Sequence, residues 1–375
     1  MMAKSIFEYN DTFKQAAQRV VFRLEAASKE HINIFGQPWY KKHFTFGAVP
    51  HTEKDFKTIL GKLYLPVAAS TINDRAAEPL RINQGFEDMK QTMFTHAHAY
   101  RMSQDEILTL MNLADIAEKN ADISAVDYIA NELMNQVKAA VEGVDARLDT
   151  IILTALSNKG EYTFTKDNDP GSPFIGQTIS FGMKTANCAE VGSGNEWTDA
   201  HLETVDPIAE IEDVLARQTT RIKKILIDRD TLRFIQRTKA MKGYANSQLY
   251  PNQPLSMAMV NRWMADNAYP TFEIVEREVG IQKDDRIVSH TPFKKGQLVF
   301  LPEDQIGTIE TCLSPAERGL KSDGVKYSYY GRTEVRRLTQ GEKENAEYCE
   351  ITKASLTAAP SMNTIDRILT LDTTK

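Results

Sequence analysis

Two of the seven histidines, His96 and His98, stand one residue apart. On a β-strand that spacing turns both imidazoles to the same face. Such a pair can bind zinc or open the metal centre of an amidohydrolase, which needs two further histidines and an aspartate later in the chain. Only His201 and His290 follow, and the repeated strand–helix alternation of a barrel that would house the site is missing. Phe94, Tyr100 and Met102 share the face of the pair, so packing within an aromatic stripe is the stronger reading. The G-S-G of "VGSGNEW" follows no strand, and neither a G-x-G-x-x-G nor a Walker pattern occurs, so it reads as a turn. "RIKKILIDRD", with Arg233, Arg237, Lys239 and Lys242 beyond it, could face nucleic acid or anionic lipid, or be a solvated helix face. Glu210 and Asp213 are neighbours on a helix surface. Cys188, Cys312 and Cys349 are widely spaced, match no metal pattern and have no histidine placed beside them. No catalytic set emerges. The expectation is a protein that is not an enzyme and uses no cofactor and no metal.

The elements that carry these residues are more informative. With 375 residues the chain can build two or three domains around a sizeable core. Its net charge of -6 argues against binding nucleic acid through overall basicity. No apolar run approaches the length of a membrane span, and "MMAKSIFEYNDTFKQ" lacks the apolar centre of a signal peptide. The odd, scattered cysteines fit a reducing compartment, here the cytoplasm, with free thiols.

Residues 11–29 place Phe13, Ala17, Val20, Val21, Leu24 and Ala27 on one helical face. Gly36, Pro38, Gly47 and Pro50 then break the chain into an extended arm. "YLPVAASTI" and "QTMFTHAHAYRM" read as two strands joined by a charged stretch containing Pro79 and Gly85. As one hairpin over 64–102 each arm could reach roughly 60 Å at ~3.3 Å per residue. Few large apolar side chains lie near its tip, so it cannot stabilise itself in water and must rest on something else. Ser103 and Glu106 form a capping box for the next helix. From Ser124 a second helix begins. Val126, Ile129, Leu133, Val137, Ala140, Val144, Leu148, Ile151 and Ala155 recur at steps of three or four until Ser157, Asn158 and Gly160 stop it. Gly143 lies in the stripe as a small packing residue. About 33 residues at 1.5 Å each make a rod of ~50 Å. A compact chain of this size has a radius of gyration of ~21 Å, so the rod would cross the whole molecule. An elongated, plate-like subunit with this helix as its spine follows.

"EYTFT" and "GQTISFGMK" flank a turn-rich stretch and suggest a hairpin. Residues 206–219 start a helix with Asp206 as cap and Pro207 in the first turn. "IKKILID", "TFEIVEREV", "GQLVFLPED" and "IGTIETCLS" read as strands, with helices at "RDTLRFIQRTKAMK" and "PLSMAMVNRWMADN". "VKYSYYGRTEVRRLT", "AEYCEITKASLT" and "DRILTLDT" make the end rich in strands.

In this order the parts resemble the major capsid proteins of tailed phages, and among them the lambda-type capsid protein E family. "LSNKGEYTFT" is similar to that family's helix end running into a strand. "GSGNEWTD" and "DPIAEIEDVLA" resemble its tryptophan turn and following helix, and "RIKKILIDRDTLRFIQRTKAMK" its strand, Asp turn and helix. "LPVAAS", "QLVFLPED" and "SLTAAPSMNTIDRILTLD" resemble the start of its extended loop, a late strand and its C-terminal strand. The likeness is strongest over about 145–240. It implies an α+β tailed-phage major capsid fold: an N-terminal arm (1–63), an extended β-hairpin or E-loop (64–102), a peripheral domain with the spine helix and a hairpin (103–189), an axial α/β domain (190–320) and a strand-rich return through both (321–375). It further implies self-assembly into hexamers and pentamers of an icosahedral shell around double-stranded DNA. The partners expected are separate scaffolding and portal proteins and a decoration protein, with no membrane. The virion would be the location and the host bacterial cytoplasm the place of assembly. Arg75, Arg81, Glu87 and Lys90 are the candidate polar contacts between subunits. An encapsulin-like shell around protein cargo is the near alternative, kept open by the helix at 11–29. A metal-dependent hydrolase using His96 and His98, and an extracellular adhesin, are more distant ones.

Overall fold

A computed structural model describes residues 9–29, 37–60, 87–120, 123–217, 220–246, 253–284, 286–340 and 349–374. The first strand read in the hairpin, "YLPVAASTI", and its charged tip lie outside them.

Helix α1 (Asp11–Lys29) starts where the Asn10 side chain accepts from the Phe13 amide at 3.0 Å. Phe13, Ala17, Val20, Leu24 and Ala27 are buried, and Val21 is half-buried. A 3-10 turn at Trp39–Lys42 leads into β1 (Phe44–Phe46). Strands β2 (Asp55–Leu60) and β3 (Glu87–Thr92) form an antiparallel ribbon, and β4 (Phe94–Met102) follows at once. Helix α2 (Gln104–Asn120) opens with the expected capping box: the Glu106 carboxylate accepts from the Ser103 amide at 2.8 Å and from its hydroxyl at 2.9 Å.

The spine, α3, runs Ile123–Ser157, and its 35 residues span about 52 Å. All nine apolar residues of the predicted stripe are buried. Beyond Leu148 the helix is enclosed on every side, since Asp149, Thr150, Ile152, Leu153 and Leu156 are buried too. Gly160 ends it in the left-handed region at φ 78°, its amide bonded to the Ala155 carbonyl at 2.9 Å.

Strands β5 (Glu161–Thr163) and β6 (Thr178–Ser180) form the expected hairpin, and β7 (Cys188–Glu190) comes next. Asp206 caps α4 (Pro207–Leu215), accepting from the Ile208 amide at 3.0 Å. After β8 (Lys224–Ile227) the single helix expected at "RDTLRFIQRTKAMK" is two: α5 (Arg229–Arg237) and α6 (Lys239–Ala245). Thr238 between them is extended (ψ 146°) and its hydroxyl caps α6 through the Met241 amide. Helix α7 (Met257–Asp266) and β9 (Thr271–Ile274) follow. The strand expected at "TFEIVEREV" stops at Ile274, and a separate ribbon, β10 (Val279–Lys283) with β11 (Arg286–His290), begins at its end. Next come β12 (Gln297–Leu301), β13 (Gly307–Thr311), β14 (Val325–Tyr330), β15 (Thr333–Gln340), β16 (Cys349–Ser361) and β17 (Leu369–Asp372). The stretch "VKYSYYGRTEVRRLT" is thus a hairpin, turned at Gly331 with φ 59°.

These strands make two main sheets. In the larger, one edge of β16 carries β4 and the other carries β15 and then β13, with β14 and β1 outermost. The smaller has the order β7-β17-β12-β8-β9. Strands of both interleave along the chain. Alternate residues of β8 and β12 serve different cores: Leu226, Val299 and Leu301 pack toward the spine, whereas Ile225, Ile227, Leu298 and Phe300 pack under α4–α7. That explains their unbroken apolar sequences, which a sheet wet on one side would not show.

Two carboxylates on the spine tie the arm to it. Asp149, fully buried, accepts from the backbone amides of Trp39 (3.1 Å) and Tyr40 (2.8 Å), and Arg277 Nε lies 2.8 Å from it. One turn earlier, Asp145 accepts from the Tyr40 hydroxyl at 2.8 Å and pairs with Lys41 at 3.2 Å. Burial, opposed by these amides and Arg277, raises the Asp149 pKa from 3.8 to about 6. The folded chain therefore binds this proton more tightly than the unfolded one. Its stabilising effect is complete below about pH 4 and is lost as the pH rises through 6. Asp149→Asn removes the titration. The stability of the parent relative to this variant is expected to increase by about 2–3 kcal/mol between pH 7 and pH 4, measured by urea unfolding at each pH. A constant difference across that range would disprove the assignment.

Candidate assembly surface

The ribbon β2–β3 leaves the body at a small apolar knot. Phe56, Met93, Cys312 and Ala359 cluster there, and the Met93 amide bonds the Lys54 carbonyl at 2.8 Å. This bond bends the chain between β3 and β4. The single strand expected at "QTMFTHAHAYRM" is therefore two: β3 enters the ribbon and β4 enters the larger sheet. The paired base of the ribbon begins at Asp55, nine residues before the expected start at residue 64. Asp55 faces Thr92 and accepts from its hydroxyl at 2.7 Å. Two residues further out, Lys57 stands directly opposite Lys90. Like charges at that spacing weaken a strand pair.

Of the four candidate contact residues, Arg75 and Arg81 lie outside the described residues. Glu87 opens β3 opposite Leu60, and Lys90 is exposed on the ribbon's flank. The two that are described share one strand near the body.

Strand β4 directs His96 and His98 toward the spine, as their spacing requires. His98 rests on Gly143: a Cβ there would stand 2.7 Å from the imidazole Cγ. Its ring also meets Tyr100 at 4.9 Å. His96 is buried, and burial, followed by the nearby Arg147 charge, lowers its pKa to about 4 against a hydrogen bond to the Ala358 backbone. It is neutral at pH 7. A cleft of about 230 Å³ separates this strand from the β5–β6 loop. Its cation, Arg147, is spent on the Asn168 carbonyl (2.7 Å) and Asp169 (3.2 Å). Among the described residues no three His, Cys, Asp or Glu side chains gather as a metal site requires. His201 is occupied by the Glu196 carbonyl at 2.8 Å. The pair is a packing device on the spine.

Sequence reading missed the Asp145–Asp149 anchor. Its signal was available: an aspartate between Leu148 and Ile151 sits inside the apolar stripe, where a carboxylate needs partners. It also missed a stack of three aromatic rings on the outer helices, Tyr244, Trp263 and Tyr269, whose members are far apart in sequence. The three cysteines are free thiols, Cys312 and Cys349 buried and Cys188 half-buried. No helix among the described residues is long and apolar enough to cross a membrane.

No protein-family profile matches the sequence, and no curated protein does. Solved structures do match. The chain overlays a protein assigned as the capsid protein of an Escherichia coli CFT073 prophage with a TM-score of 0.56 at 10% identity, over 94% of this chain and 98% of that one. A phage-related protein of Bordetella bronchiseptica overlays at 0.47 and 10% identity, over 94% and 96%. An encapsulin complex from Synechococcus elongatus gives 0.34 and 8%, over 93% and 95%. The first overlay defines the class: the chain has the phage-capsid fold along nearly its whole length. This is the mixed helix-and-sheet architecture that the resemblance implied.

The contact of His98 with Gly143 fixes the sign of a substitution. Glycine to alanine in a free helix gains about 1 kcal/mol. Here the added methyl meets an imidazole, and overpacking of this kind costs about 1–3 kcal/mol. Gly143→Ala is expected to lower the melting temperature, and the same change in a His98→Ala background to raise it. Equal shifts in the two backgrounds would refute the contact.

Proposed function

We propose that this chain is the major capsid protein of a tailed phage or prophage, assembling with copies of itself into the shell. The observation that carries the proposal is the phage-capsid fold over nearly the full chain. On this reading many weak contacts between copies sum to a stable shell.

On this reading hexamers and pentamers form through the domain built on the smaller sheet, and the spine and ribbon overlap the next copy. Double-stranded DNA fills the interior. Scaffolding and portal proteins are separate chains, a decoration protein is a further partner, and assembly takes place in the host bacterial cytoplasm. The narrower likeness to the lambda-type capsid protein E rests on the sequence resemblance. The role is structural rather than enzymatic, which suits a histidine pair used for packing.

Electron microscopy of the purified protein tests this: closed icosahedral particles are expected, and a rounded, monodisperse monomer at high concentration would overturn it. Nucleic acid extracted from particles made in infected cells supports the phage reading, whereas a single co-purifying enzyme inside them would favour an encapsulin-like shell. Stoichiometric zinc would revive the hydrolase. Replacing Arg75, Arg81, Glu87 and Lys90 together by alanine is expected to reduce particle yield while changing subunit stability by less than ~0.5 kcal/mol per site. Normal particles from that variant would remove these four residues from the interface.

A further inference from the structure

Two features of the outer helices are unexplained by packing within one chain. The first is the aromatic ladder. Tyr244 at the end of α6, Trp263 on α7 and Tyr269 beyond it stack with centroids 5.2 and 5.7 Å apart and planes 22° and 15° from parallel. Both phenols donate to carboxylates, Tyr244 to Asp206 at 2.6 Å and Tyr269 to Glu212. Those bonds keep the phenols protonated, that of Tyr244 with a pKa pushed up to about 12. They also pin the rings, so the ladder is rigid. Tyr244 is 44% exposed, and the exposed Asp213 adds charge beside Glu212. A fixed aromatic face with an anionic edge suits a guanidinium group, which stacks on the rings and bonds to the carboxylates.

The second is an arginine ridge. Arg229, Arg233 and Arg237 stand one turn apart along α5, on the side opposite the buried Leu232 and Ile235. Their side chains are 57%, 62% and 55% exposed. Helix α5 packs on α6 and α7, and its apolar face makes that contact, so the ridge turns outward. Within the chain the arginines pair with Glu276, Asp230 and Asp199, which are themselves exposed. Such surface pairs contribute ~0–1 kcal/mol and exchange readily for better ones.

We infer that the arginine ridge of one copy docks on the aromatic ladder of the next copy around a ring. A closed ring is built from head-to-tail contacts, which require two different, complementary patches on every copy. The ridge and the ladder supply one cationic patch and one anionic, aromatic patch on the same helical layer. A polyanion such as nucleic acid could use the ridge, but it would leave the carboxylate-edged ladder unused and be repelled by it. A second copy uses both. The inference deepens the shell reading and rests on it.

Charge exchange tests the contact. Arg229, Arg233 and Arg237 are changed together to Glu in one variant. Glu212 and Asp213 are changed to Arg in a second, leaving the helix cap Asp206 intact, and a third carries all five changes. Each of the first two is expected to lose at least ~10-fold in particle yield, equivalent to ~1.4 kcal/mol, and the five-fold variant to recover it. Mixing the first two restores six-membered rings, in which alternating copies recreate both favourable contacts, whereas a five-membered ring cannot alternate. Normal yield from the ridge variant, or no recovery in the five-fold variant, overturns the inference while leaving the shell reading in place. Particles that form normally but lack nucleic acid would assign the ridge to DNA instead. A crosslink covers the case in which a charged variant fails to fold. Arg233→Cys with Tyr244→Cys, oxidised, is expected to give a ladder of bands up to six subunits on non-reducing gels, against the parent as control. It reads subassemblies whether or not shells close. No bands beyond the parent's would refute the contact.

Discussion

The last ten residues of α3 are enclosed on all sides, and the arrangement of the subunit depends on that enclosure. An amphipathic helix needs cover on one face, whereas this one requires a layer on each. The larger sheet, the arm, the β5–β6 hairpin and one face of the smaller sheet supply those layers, and Asp149 secures the arm through the amides of Trp39 and Tyr40 and the loop after β9 through the guanidinium of Arg277. A carboxylate buried this deeply is costly unless every lone pair is used. The anchor thus specifies one seating of the arm rather than adding much net stability.

The distal part of the molecule follows the opposite rule. Among the described residues the ribbon packs at the knot around Phe56 and Met93, and further out Lys57 faces Lys90. Enclosure at the spine makes the body rigid.

Elements governed by local chemistry were legible in the sequence. The helix ends at Ser103, Asp206 and Gly160 are caps whose residues state their role, and the spine's stripe ran long enough to be unmistakable. Three features escaped. The break at Met93, the break at Thr238 and the turn at Gly331 interrupt patterns that look continuous: a hydrogen bond to Lys54 across the ribbon at the first, a hydroxyl cap at the second and a tight glycine turn between paired strands at the third. The histidine pair shows the converse. Its spacing correctly put both rings on one face, but only the neighbouring Gly143, forty-five residues away, reveals that one of the rings fills a notch in a helix. The aromatic ladder could not have been read at all, since nothing local links Tyr244 to Tyr269.

Strands β8 and β12 contribute alternate side chains to both hydrophobic cores. A hinge between the two halves would therefore have to tear both interiors at once, and close-packed interiors resist this. With the midline stiffened in this way, the two halves must turn as a single body.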